Sequence, residues 1–522
     1  MIDAVEWLEH LYDLKHGRRW VTLVGSGWGD SGKGAVESSI SDHFDCFLRV
    51  SGGANTGRTR YIMTPDGEKE FIFHLIPCGW ADNKESFIGD WVLMDLDRFS
   101  TEINELQSTL GRLPNAPLFI SRKAPIYLPY HSMLEAYLEM RKGADAVGTT
   151  KRGIAPMIAG IDLRIGPEIG HLEFPDTLRQ WVKTFYECFE VNFKVLVEWQ
   201  KCQADLAESS GRAPTEIYDL KEYSPDMVTE HLLAHFENIR GFITDIDSLL
   251  LERAKANVPT LIGMTQGYGL TRKGTYPYSS TTQTSAQAGA FCSCIPMEYF
   301  GPVILVDKLD PTRVGWGPFP TGMWDRQEAE LFPKEHPELF SALKECNPVA
   351  RQEFLDEYRQ LINSDDNPDE VVVAKYIQVL LNELGATTKR GREPGWPDLY
   401  VNACAAQSNG ADVIALTRID WLSGIKLNLK FATEYRLNGN VCRAPDFPSP
   451  IERLEQVQVG YEEIHVDLRN TELYGSTELP AVFDEIFNLI RLHTGVPVGM
   501  VSTSPKAKEG KIFRDFRSEV RK

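Results

Sequence analysis

The chain has 522 residues, of which 42% are hydrophobic and 25% charged, and its formal net charge is −19. This composition is typical of a globular protein with a substantial core, and the acidic balance argues against nucleic acid or an anionic membrane as a partner. No apolar run reaches the roughly 18 residues of a membrane span. The N-terminus lacks the apolar core of a signal peptide, and the nine cysteines are scattered, so we expect a cytoplasmic protein with reduced thiols.

The first informative stretch is Trp20–Gly34, which reads WVTLVGSGWGDSGKG. Its apolar residues 21–24 predict a strand, a glycine-rich loop follows, and residues 36–40 predict the start of a helix. Glycines let backbone N–H groups turn inward, and a helix N-terminus adds partial positive charge. A strand, a glycine loop and a helix in this order therefore predict a phosphate-binding site.

The loop follows the phosphate-loop pattern with one departure. From Gly27 the spacing is Gly-x-x-x-x-Gly32-Lys33, which places Lys33 within reach of a terminal phosphate. Gly34 stands where that pattern has a Ser or Thr whose hydroxyl binds Mg²⁺. We expect Asp30, inside the loop, to replace that hydroxyl as the metal ligand.

The rest of the chain alternates between predicted strands and helices. Strands are predicted at Phe71–Pro77, Ser86–Met94, Thr260–Met264, Pro302–Val306 and Val413–Asp420, and helices at 1–19, His131–Arg141, 175–258 and 326–382. This alternation predicts an α/β fold with one large, mostly parallel central sheet and flanking helices. We interpret 1–522 as a single domain with an enlarged helical region at 175–258, a surface helical insertion at 326–382, and a loosely held basic tail at 506–522.

Four further loops carry residue types that suit anions or bases. Residues 52–59 form a Gly-rich turn, and residues 148–156 combine hydroxyls with cations, although either could be an ordinary turn. Residues 385–392 form the densest cationic loop, which suits a dicarboxylate or a phosphate. The strand ending at Asp420 could place a carboxylate against the N–H groups of a guanine, although a four-residue Thr-Arg-Ile-Asp signal is weak on its own.

Taken together, these stretches resemble adenylosuccinate synthetase. The matching motifs are WGDSGKG (28–34), GGANTGRT (52–59), HLIP (74–77), GTTKRGI (148–154), TQG (265–267), GTYPY (274–278), TRVGWGPFPT (312–321), GATTKRGR (385–392), GW-x-D (395–398) and TGVPV (494–498). They occur in the family's order and cover nearly the whole chain except the helical parts near 175–258 and 326–382.

The resemblance implies a reaction, its co-substrates and a fold. The family joins L-aspartate to IMP with GTP and Mg²⁺ and gives adenylosuccinate through a 6-phosphoryl intermediate. The resemblance also implies the phosphate-loop-NTPase-like adenylosuccinate synthetase fold and a homodimer. ATP in place of GTP remains open.

The resemblance also assigns roles to individual residues. It implies that Asp30, Lys33 and Arg58 are catalytic, and that Asp30 and the Gly57 carbonyl bind Mg²⁺. The positions that match GTP-binding residues are Gly29, Gly32, Lys33, Gly34, Arg392, Arg418, Asp420, Ser502 and Ser504. The positions that match purine-substrate residues are Asp30, Asn55, Thr150, Gln266, Ser280 and Arg390, and those that match aspartate-binding residues are Thr387, Thr388, Arg390 and Arg392.

The chain departs from the family at several of these positions. Arg58 stands where the family has its catalytic histidine, and Arg is not deprotonated in proteins, so we expect it to stabilise phosphoryl charge instead of acting as an acid. Gly27 and Ser31 replace a Gln and a Glu of the loop, which opens space and removes a negative charge beside the purine. In the guanine-binding part, Arg418 replaces a Lys and Ser504 replaces a Gly.

These departures leave alternatives open. The same ligation could act on dGMP or GMP, as in a viral relative that makes a 2-aminoadenylosuccinate nucleotide, because Gly27 and Ser31 would admit a 2-amino group. The chain could also be a phosphate-loop NTPase that drives a conformational switch without ligation. Finally, it could be a silent nucleotide-binding relative, since Arg58 replaces the histidine.

Overall fold

The computed structural model of the protein describes residues 1–64, 67–143, 149, 151–209, 217–271, 289, 293, 295–313, 317–341, 348–384, 391–449, 451–504, 506 and 509–520.

The strands are short, and most of them are buried. In chain order they are β1 (Trp20–Gly25), β2 (Cys46–Gly52), β3 (Arg58–Thr64), β4 (Gly67–Phe73), β5 (Glu85–Val92), β6 (Leu118–Ser121), β7 (Ile243–Thr244), β8 (Thr260–Gly263), β9 (Phe300–Lys308), β10 (Thr312–Arg313), β11 (Glu393–Pro394), β12 (Val413–Thr417), β13 (Lys426–Leu437), β14 (Asn440–Val441), β15 (Gln458–Asp467), β16 (Val498–Ser502) and β17 (Lys511–Phe513).

The helices in chain order are α1 (Ala4–Leu14), α2 (Lys33–Ile40), α3 (Leu96–Leu110), α4 (Pro129–Lys142), α5 (Ile154–Asp162), α6 (Pro175–Ser209), α7 (Pro225–Ile239), α8 (Ile246–Lys255), α9 (Arg326–Glu335), α10 (Pro337–Ser341), α11 (Pro348–Asn363), α12 (Glu370–Leu380), α13 (Leu399–Asn409), α14 (Ile451–Leu454) and α15 (Val482–Thr494). In the part of the chain that the structure describes, no helix combines the length and apolarity that a bilayer span requires.

A ten-stranded sheet organises the fold, with strand order β17-β16-β12-β9-β1-β8-β2-β5-β6-β7. Its neighbouring strands are parallel except for the pair β16 and β17. Every residue of β1, β2, β12 and β16 is buried, as expected for parallel strands covered by helices on both faces. The predicted large, mostly parallel α/β sheet is therefore confirmed.

The core lies on both faces of this sheet. The largest buried cluster joins strand residues such as Val24 and Leu305 to Phe332, Tyr376 and Ile377 of the 326–382 segment. The expectation that this segment only covers the surface is therefore wrong, because its helices contribute to the main core. Its origin as an insertion, and the single-domain interpretation of the chain, stay predictions.

Three predicted elements end or break earlier than expected. The strand predicted at Phe71–Pro77 ends at Phe73, because a buried Glu102 on α3 accepts the next backbone N–H groups in place of a neighbouring strand. The helical pattern of 175–258 is interrupted by β7, the last strand of the sheet. The strand predicted at Val413–Asp420 ends at Thr417, since Arg418 has a left-handed backbone with φ +60°.

The C-terminal tail is held more firmly than its composition predicts. Strand β17 pairs antiparallel with β16 and closes one edge of the sheet. The N-terminal segment meets the same strand, since the Ile2 N–H donates to the Phe513 carbonyl at 3.1 Å. The expectation of a loose tail is therefore wrong for residues 511–513.

Strand order decides where the site lies. Strands β16, β12 and β9 lie on one side of β1, and β8 and β2 lie on the other. These six strands are parallel, so the loops that follow them all emerge at one edge of the sheet. Ligands of open α/β sheets bind at this edge.

Candidate functional site

The glycine loop between β1 and α2 is packed tightly against a second loop. Gly32 and Gly29 adopt positive φ angles of 82° and 93°, a conformation that favours glycine. A Cβ on Gly267 would lie 2.3 Å from the Ser26 carbonyl oxygen and 2.6 Å from the Gly29 nitrogen. The Thr-Gln-Gly turn after β8 therefore lies directly against the phosphate loop, as only glycine allows.

Neighbouring strands hold the loop from beneath. The Ser26 hydroxyl donates to Asp307 of β9 at 2.5 Å, and the Asn402 side-chain amide donates to the other Asp307 oxygen at 2.7 Å. The Thr417 hydroxyl, at the end of β12, donates to the Ser31 carbonyl at 2.8 Å. Burial raises the pKa of Asp307 to about 6, although both hydrogen bonds favour its charged form. These bonds fix the loop before any ligand arrives.

Lys33 is buried at the start of α2. Its Nζ donates to the Gln266 carbonyl at 2.5 Å and to the Ser31 hydroxyl at 3.3 Å. Burial and the nearby Arg58 guanidinium lower the pKa of Lys33 to about 8. The hydrogen bonds of this ammonium group go to neutral oxygens, and the nearby Asp30 and Glu37 carboxylates favour its charged form, so its charge suits an incoming phosphate.

Asp30 contacts the arginine of the predicted aspartate loop. Arg392 Nη2 lies 2.7 Å from Asp30 Oδ2, and its Nη1 lies 2.8 Å from Glu383 Oε2. The Asp30 side chain is 53% exposed, whereas that of Arg392 is 14% exposed. The structure thus brings together two predicted site residues that are 362 positions apart in the sequence (392 − 30).

Behind Arg392 lies a buried charge network that the sequence did not predict. Lys308, at the end of β9, lies 2.6 Å from Glu383 and 3.3 Å from Asp310. Burial alone would raise the pKa of Glu383, but the positive charges of Lys308 and Arg392 hold this pKa below its usual range. The pKa of Asp310 is raised, because there the effect of burial is larger than that of Lys308. The sequence feature that could have indicated this network is the Asp-Lys pair at the end of an apolar strand. The carboxyl ends of the strands form the edge of the sheet where α/β proteins place functional residues.

Arg58 has a partner that the sequence analysis also missed. Its Nη1 lies 2.5 Å from Glu37 Oε2, and its Nη2 donates to the Met264 carbonyl at 3.0 Å. Glu37 is 2% exposed and accepts a further bond from the Cys78 thiol at 2.8 Å. Since Glu37 lies one helical turn after Lys33, its spacing on α2 could have indicated that it faces the loop.

The predicted guanine-binding residues assemble at the ends of β12 and β16. Arg418 Nε lies 3.4 Å from Asp420 Oδ1. Lys511 of β17 donates to the Ser502 hydroxyl at 2.6 Å and to the Ser504 carbonyl at 2.5 Å. Burial lowers the pKa of Lys511 to about 8. Lys511 is therefore a residue of this pocket that sequence reasoning missed.

On the other side of β1 lie the predicted purine-binding positions that the structure describes. The Oδ1 atom of Asn55, in the loop after β2, is buried and has no hydrogen-bond partner among the described residues. Gln266 has a left-handed backbone with φ +59°. The other predicted purine and aspartate positions lie outside the described residues: Thr150, Ser280, Thr387, Thr388 and Arg390.

The residues near the loop fit a Mg²⁺ ion. Asp30 supplies a half-exposed carboxylate, and the Gly57 loop adjoins the phosphate loop, since Arg58 contacts Glu37 of α2. Mg²⁺ prefers oxygen ligands and binds proteins through one or two carboxylates together with phosphates and water. Asp30 and the Gly57 carbonyl therefore stay the predicted ligands.

Comparison with known proteins gives a consistent result. A family model described as adenylosuccinate synthetase matches residues 22–510. The adenylosuccinate synthetase of Nitratidesulfovibrio vulgaris is 29% identical over 492 residues, covering 93% of this chain and 98% of the relative. That of Vibrio vulnificus is 29% identical over 503 residues, covering 94% and 97%.

Two solved structures share the fold. A fully ligated adenylosuccinate synthetase from Plasmodium falciparum has a TM-score of 0.72 at 23% identity, covering 95% of this chain and all of the other. The cyanophage S-2L succinoaminodeoxyadenylate synthetase, bound to dGMP and to dATP as an energy donor, has a TM-score of 0.51 at 15% identity, covering 96% and 97%. With the family match spanning nearly the whole chain, the protein belongs to the adenylosuccinate synthetase family.

Proposed function

We propose that this protein joins L-aspartate to the 6-position of a 6-oxopurine nucleotide, with IMP as the first candidate, and hydrolyses GTP in the process. The observation that carries this proposal is the 2.7 Å contact between Asp30 and Arg392. It joins the phosphate loop to the loop that matches the family's aspartate-binding motif. A nucleotide switch without ligation has no need of such a contact.

The reaction divides into two steps, and each uses groups of this chain. The purine 6-oxygen is a poor leaving group, so the γ-phosphoryl group of GTP is first transferred to it, while Asp30 takes the proton from ring nitrogen 1. Lys33 and Arg58 stabilise the charge that spreads over the transferred phosphoryl oxygens. Mg²⁺, held by Asp30 and the Gly57 carbonyl, would neutralise phosphate charge. The first step breaks the bond between the β- and γ-phosphates and releases GDP. In the second step the amine of aspartate forms the C–N bond at C6, inorganic phosphate leaves, and the proton lost from the amine passes to the phosphate or to water.

Arg392 is placed to serve both steps. Its guanidinium already bridges Asp30 and Glu383. A planar fork of this kind binds carboxylates and phosphates with paired hydrogen bonds. We infer that the carboxylate of substrate aspartate takes up part of this guanidinium, which frees Asp30 to act as the base.

The residues around Asp420 support GTP as the phosphoryl donor. This carboxylate, 7% exposed, can accept from the ring N–H and exocyclic amine of guanine. Adenine offers no ring N–H at that position, so GTP is the proposed donor. ATP stays the alternative donor in the same test, because the Arg418 side chain, whose Nε lies 3.4 Å from Asp420 Oδ1, can balance the charge of Asp420 without guanine.

A specific observation supports dGMP or GMP as the second candidate substrate. A Cβ on Gly27 would meet nothing within 4 Å, so the loop has open space at the position where the family has a Gln. Ser31 does not contribute to this space, because its hydroxyl is buried against Lys33. The fold shared with the cyanophage enzyme, whose structure holds dGMP, agrees with this alternative.

A competition reaction read by mass spectrometry tests the proposal. The purified protein receives Mg²⁺, L-aspartate, GTP, ATP and a mixture of IMP, GMP and dGMP. We expect a succinyl adduct of IMP that requires aspartate and disappears in Asp30→Asn, whereas Asp45→Asn, a change at an exposed acid outside the site, leaves it intact. An adduct of a guanine nucleotide alone would establish the second candidate.

Two results would contradict ligation. Phosphate release without aspartate dependence would indicate an NTPase switch, and the absence of both adduct and phosphate release would indicate a catalytically inactive relative.

The homodimer and the cytoplasmic location are also part of the proposal. Light scattering of the purified protein, with and without nucleotides, tests the dimer.

A further inference from the structure

Two histidines and one carboxylate converge on the surface, on two helices away from the phosphate loop. His231 and His235 are spaced i, i+4 on α7, so they share one face of that helix. Asp97 lies in the first turn of α3. The Nε2 atoms of both histidines lie 3.0 Å from Asp97 Oδ1, and one ligand atom from each residue lies within 4.8 Å of the others.

This spacing fits a tetrahedral metal ion. Ligands about 2.0 Å from a tetrahedral Zn²⁺ lie roughly 3.3 Å from one another, so a small outward movement of each side chain would admit the ion. Nitrogen and carboxylate oxygen are both ordinary zinc ligands, and three protein ligands leave one position for water. It is the one such group of His, Cys, Asp or Glu found among the described residues.

A fourth residue orients the less exposed histidine, His235. The Nδ1 atom of His235 lies 2.9 Å from the Ser100 hydroxyl, one helical turn after Asp97. In the metal-free protein Nε2–H donates to the Asp97 carboxylate and Nδ1 accepts from the Ser100 hydroxyl. When a metal ion takes the place of the Nε2 proton, Nδ1–H can donate to Ser100 instead, so that the Nε2 lone pair is directed at the ion. Metal-binding histidines are commonly oriented by such a bond from their second nitrogen. The His235 side chain is only 15% exposed, so its position is restricted by packing as well.

We propose that Asp97, His231 and His235 form a binding site for a divalent transition metal, with Zn²⁺ as the best match, and that Ser100 is its positioning residue. The ion would cross-link α3 to α7. On its next two turns, α3 carries Glu102, which accepts the backbone N–H groups of residues 74–76. The site would therefore brace the helix that holds the His-Leu-Ile-Pro loop, without contributing to catalysis.

Metal titration of the full-length protein tests this proposal. Co²⁺ serves as the probe, because in a tetrahedral site it gives visible absorption bands, and excess Mg²⁺ is present to occupy the nucleotide site. We expect one equivalent of Co²⁺ to bind with such bands and to be displaced by Zn²⁺. The His231→Ala and His235→Ala variants should each lose that equivalent, and Ser100→Ala should weaken binding about 10–100-fold.

A matched control separates a metal site from an ordinary ion pair. His493 and Glu462 form an exposed pair at 2.9 Å that is not part of any group of three potential ligands among the described residues. His493→Ala should therefore leave Co²⁺ binding unchanged. In thermal unfolding, the Tm of the wild type should be higher with Zn²⁺ than with a chelator. The Tm of His231→Ala should be the same under both conditions. Equal stoichiometry and spectra in the wild type and the His231 variant would overturn the proposal.

Discussion

Arg58 places a permanent positive charge beside Lys33, where the family has a histidine. The guanidinium is 11% exposed and is held by Glu37 on one side and the Met264 carbonyl on the other. Its proximity contributes to the lowered pKa of Lys33. Two cations that repel each other in the free protein are both stabilised once phosphates lie between them. The pair therefore has the charge that the proposed phosphoryl transfer requires.

Removing Arg58 should slow catalysis and leave aspartate binding nearly unchanged. We expect Arg58→Ala to lower kcat by about 10²–10³, as for other single donors that stabilise developing charge. The measurement is steady-state kinetics with aspartate varied, at a temperature where circular dichroism shows the variant to be folded, because the alanine also removes the ion-pair partner of the buried Glu37. Arg60 on the same strand is the control, because its side chain bonds Ser41 and Asp82 and not Met264 or Glu37. An unaltered kcat in Arg58→Ala would exclude the proposed role.

Lys33 gives the nucleotide affinity a predictable pH dependence. Its pKa of about 8 in the free protein means that the ammonium form declines as pH rises through 8. Since the triphosphate binds the charged form, Kd for GTP should increase above pH 8, by at most tenfold per pH unit. Titration by calorimetry from pH 7 to 9.5 measures this change. In Lys33→Arg, whose charge persists, the slope should be smaller, and a flat wild-type profile would contradict the assignment.

At the scale of elements, the sequence predicted those whose signal is local. The strand, loop and helix of residues 20–40 were readable because an apolar run, glycines and Lys33 are adjacent in the chain. The sequence did not reveal the roles of Glu383, Lys308 and Glu37, because each of these residues acts through a partner from a distant element. A buried charge is informative only when its counter-charge is known, and a sequence does not show which residues are neighbours.

The strand predicted at Phe71–Pro77 shows the same limit. Its residues are apolar enough for a strand, but the backbone N–H groups of residues 74–76 are satisfied by the carboxylate of Glu102. No local pattern identifies a side chain that replaces a neighbouring strand. The loop that results belongs to one of the family motifs, so α3 is coupled to the site through one carboxylate.

Replacing Glu102 should therefore destabilise this loop. In Glu102→Gln an amide N–H₂ group takes the place of one acceptor oxygen, so we expect a loss of about 1–3 kcal/mol in the free energy of unfolding and slower ligation. Glu105→Gln, on an exposed face of the same helix, is the control. Denaturant unfolding at pH 7 measures both. Equal stability of the two variants would show that the carboxylate is not required.

Burial raises the pKa of the Glu102 carboxyl group to about 7, which is above its value in the unfolded chain. The folded protein therefore binds the carboxyl proton of Glu102 more tightly than the unfolded chain does. The resulting stabilisation is complete below about pH 4, near the unfolded pKa, and is lost as pH rises through 7. The wild type should therefore lose stability relative to Glu102→Gln between pH 5 and 8. Urea unfolding across that range is the measurement, and a constant difference would contradict the shifted pKa.

On the scale of the whole molecule, the two ends of the described chain meet at one edge of the sheet. The Trp7 ring lies 5.3 Å from the Phe513 ring, and Ile2 pairs with Phe513. Lys511, on the same short strand, anchors the segment Ser502–Ser504, which belongs to the proposed guanine-binding pocket. Composition alone gave this basic tail no structural role. Its function as a sheet edge depends on contacts with residues at the opposite end of the sequence.

Shortening the tail should impair both stability and nucleotide binding. A chain that ends at Gly510 loses β17, the anchor of the base pocket and the contacts with α1, so we expect a lower Tm and a weaker affinity for GTP. A chain that ends at Val520 keeps all of them and is the control. Lys511→Met isolates the pocket, because it should weaken GTP binding while β17 remains. Unchanged GTP affinity in Lys511→Met would exclude Lys511 from the pocket.

The contact between Arg58 and Glu37 also restricts how this enzyme could change over evolutionary time. A single exchange of Arg58 for His would break the ion pair with Glu37 and leave that buried carboxylate with the Cys78 thiol and the nearby charges of Lys33 and Arg49. Breaking a buried ion pair by removing one partner typically costs about 3–5 kcal/mol. A single exchange of Glu37 would leave the guanidinium of Arg58 with the Met264 carbonyl as its remaining described hydrogen-bond partner. We therefore expect the histidine to be restored at a lower cost in stability in the double variant R58H/E37Q than in R58H alone.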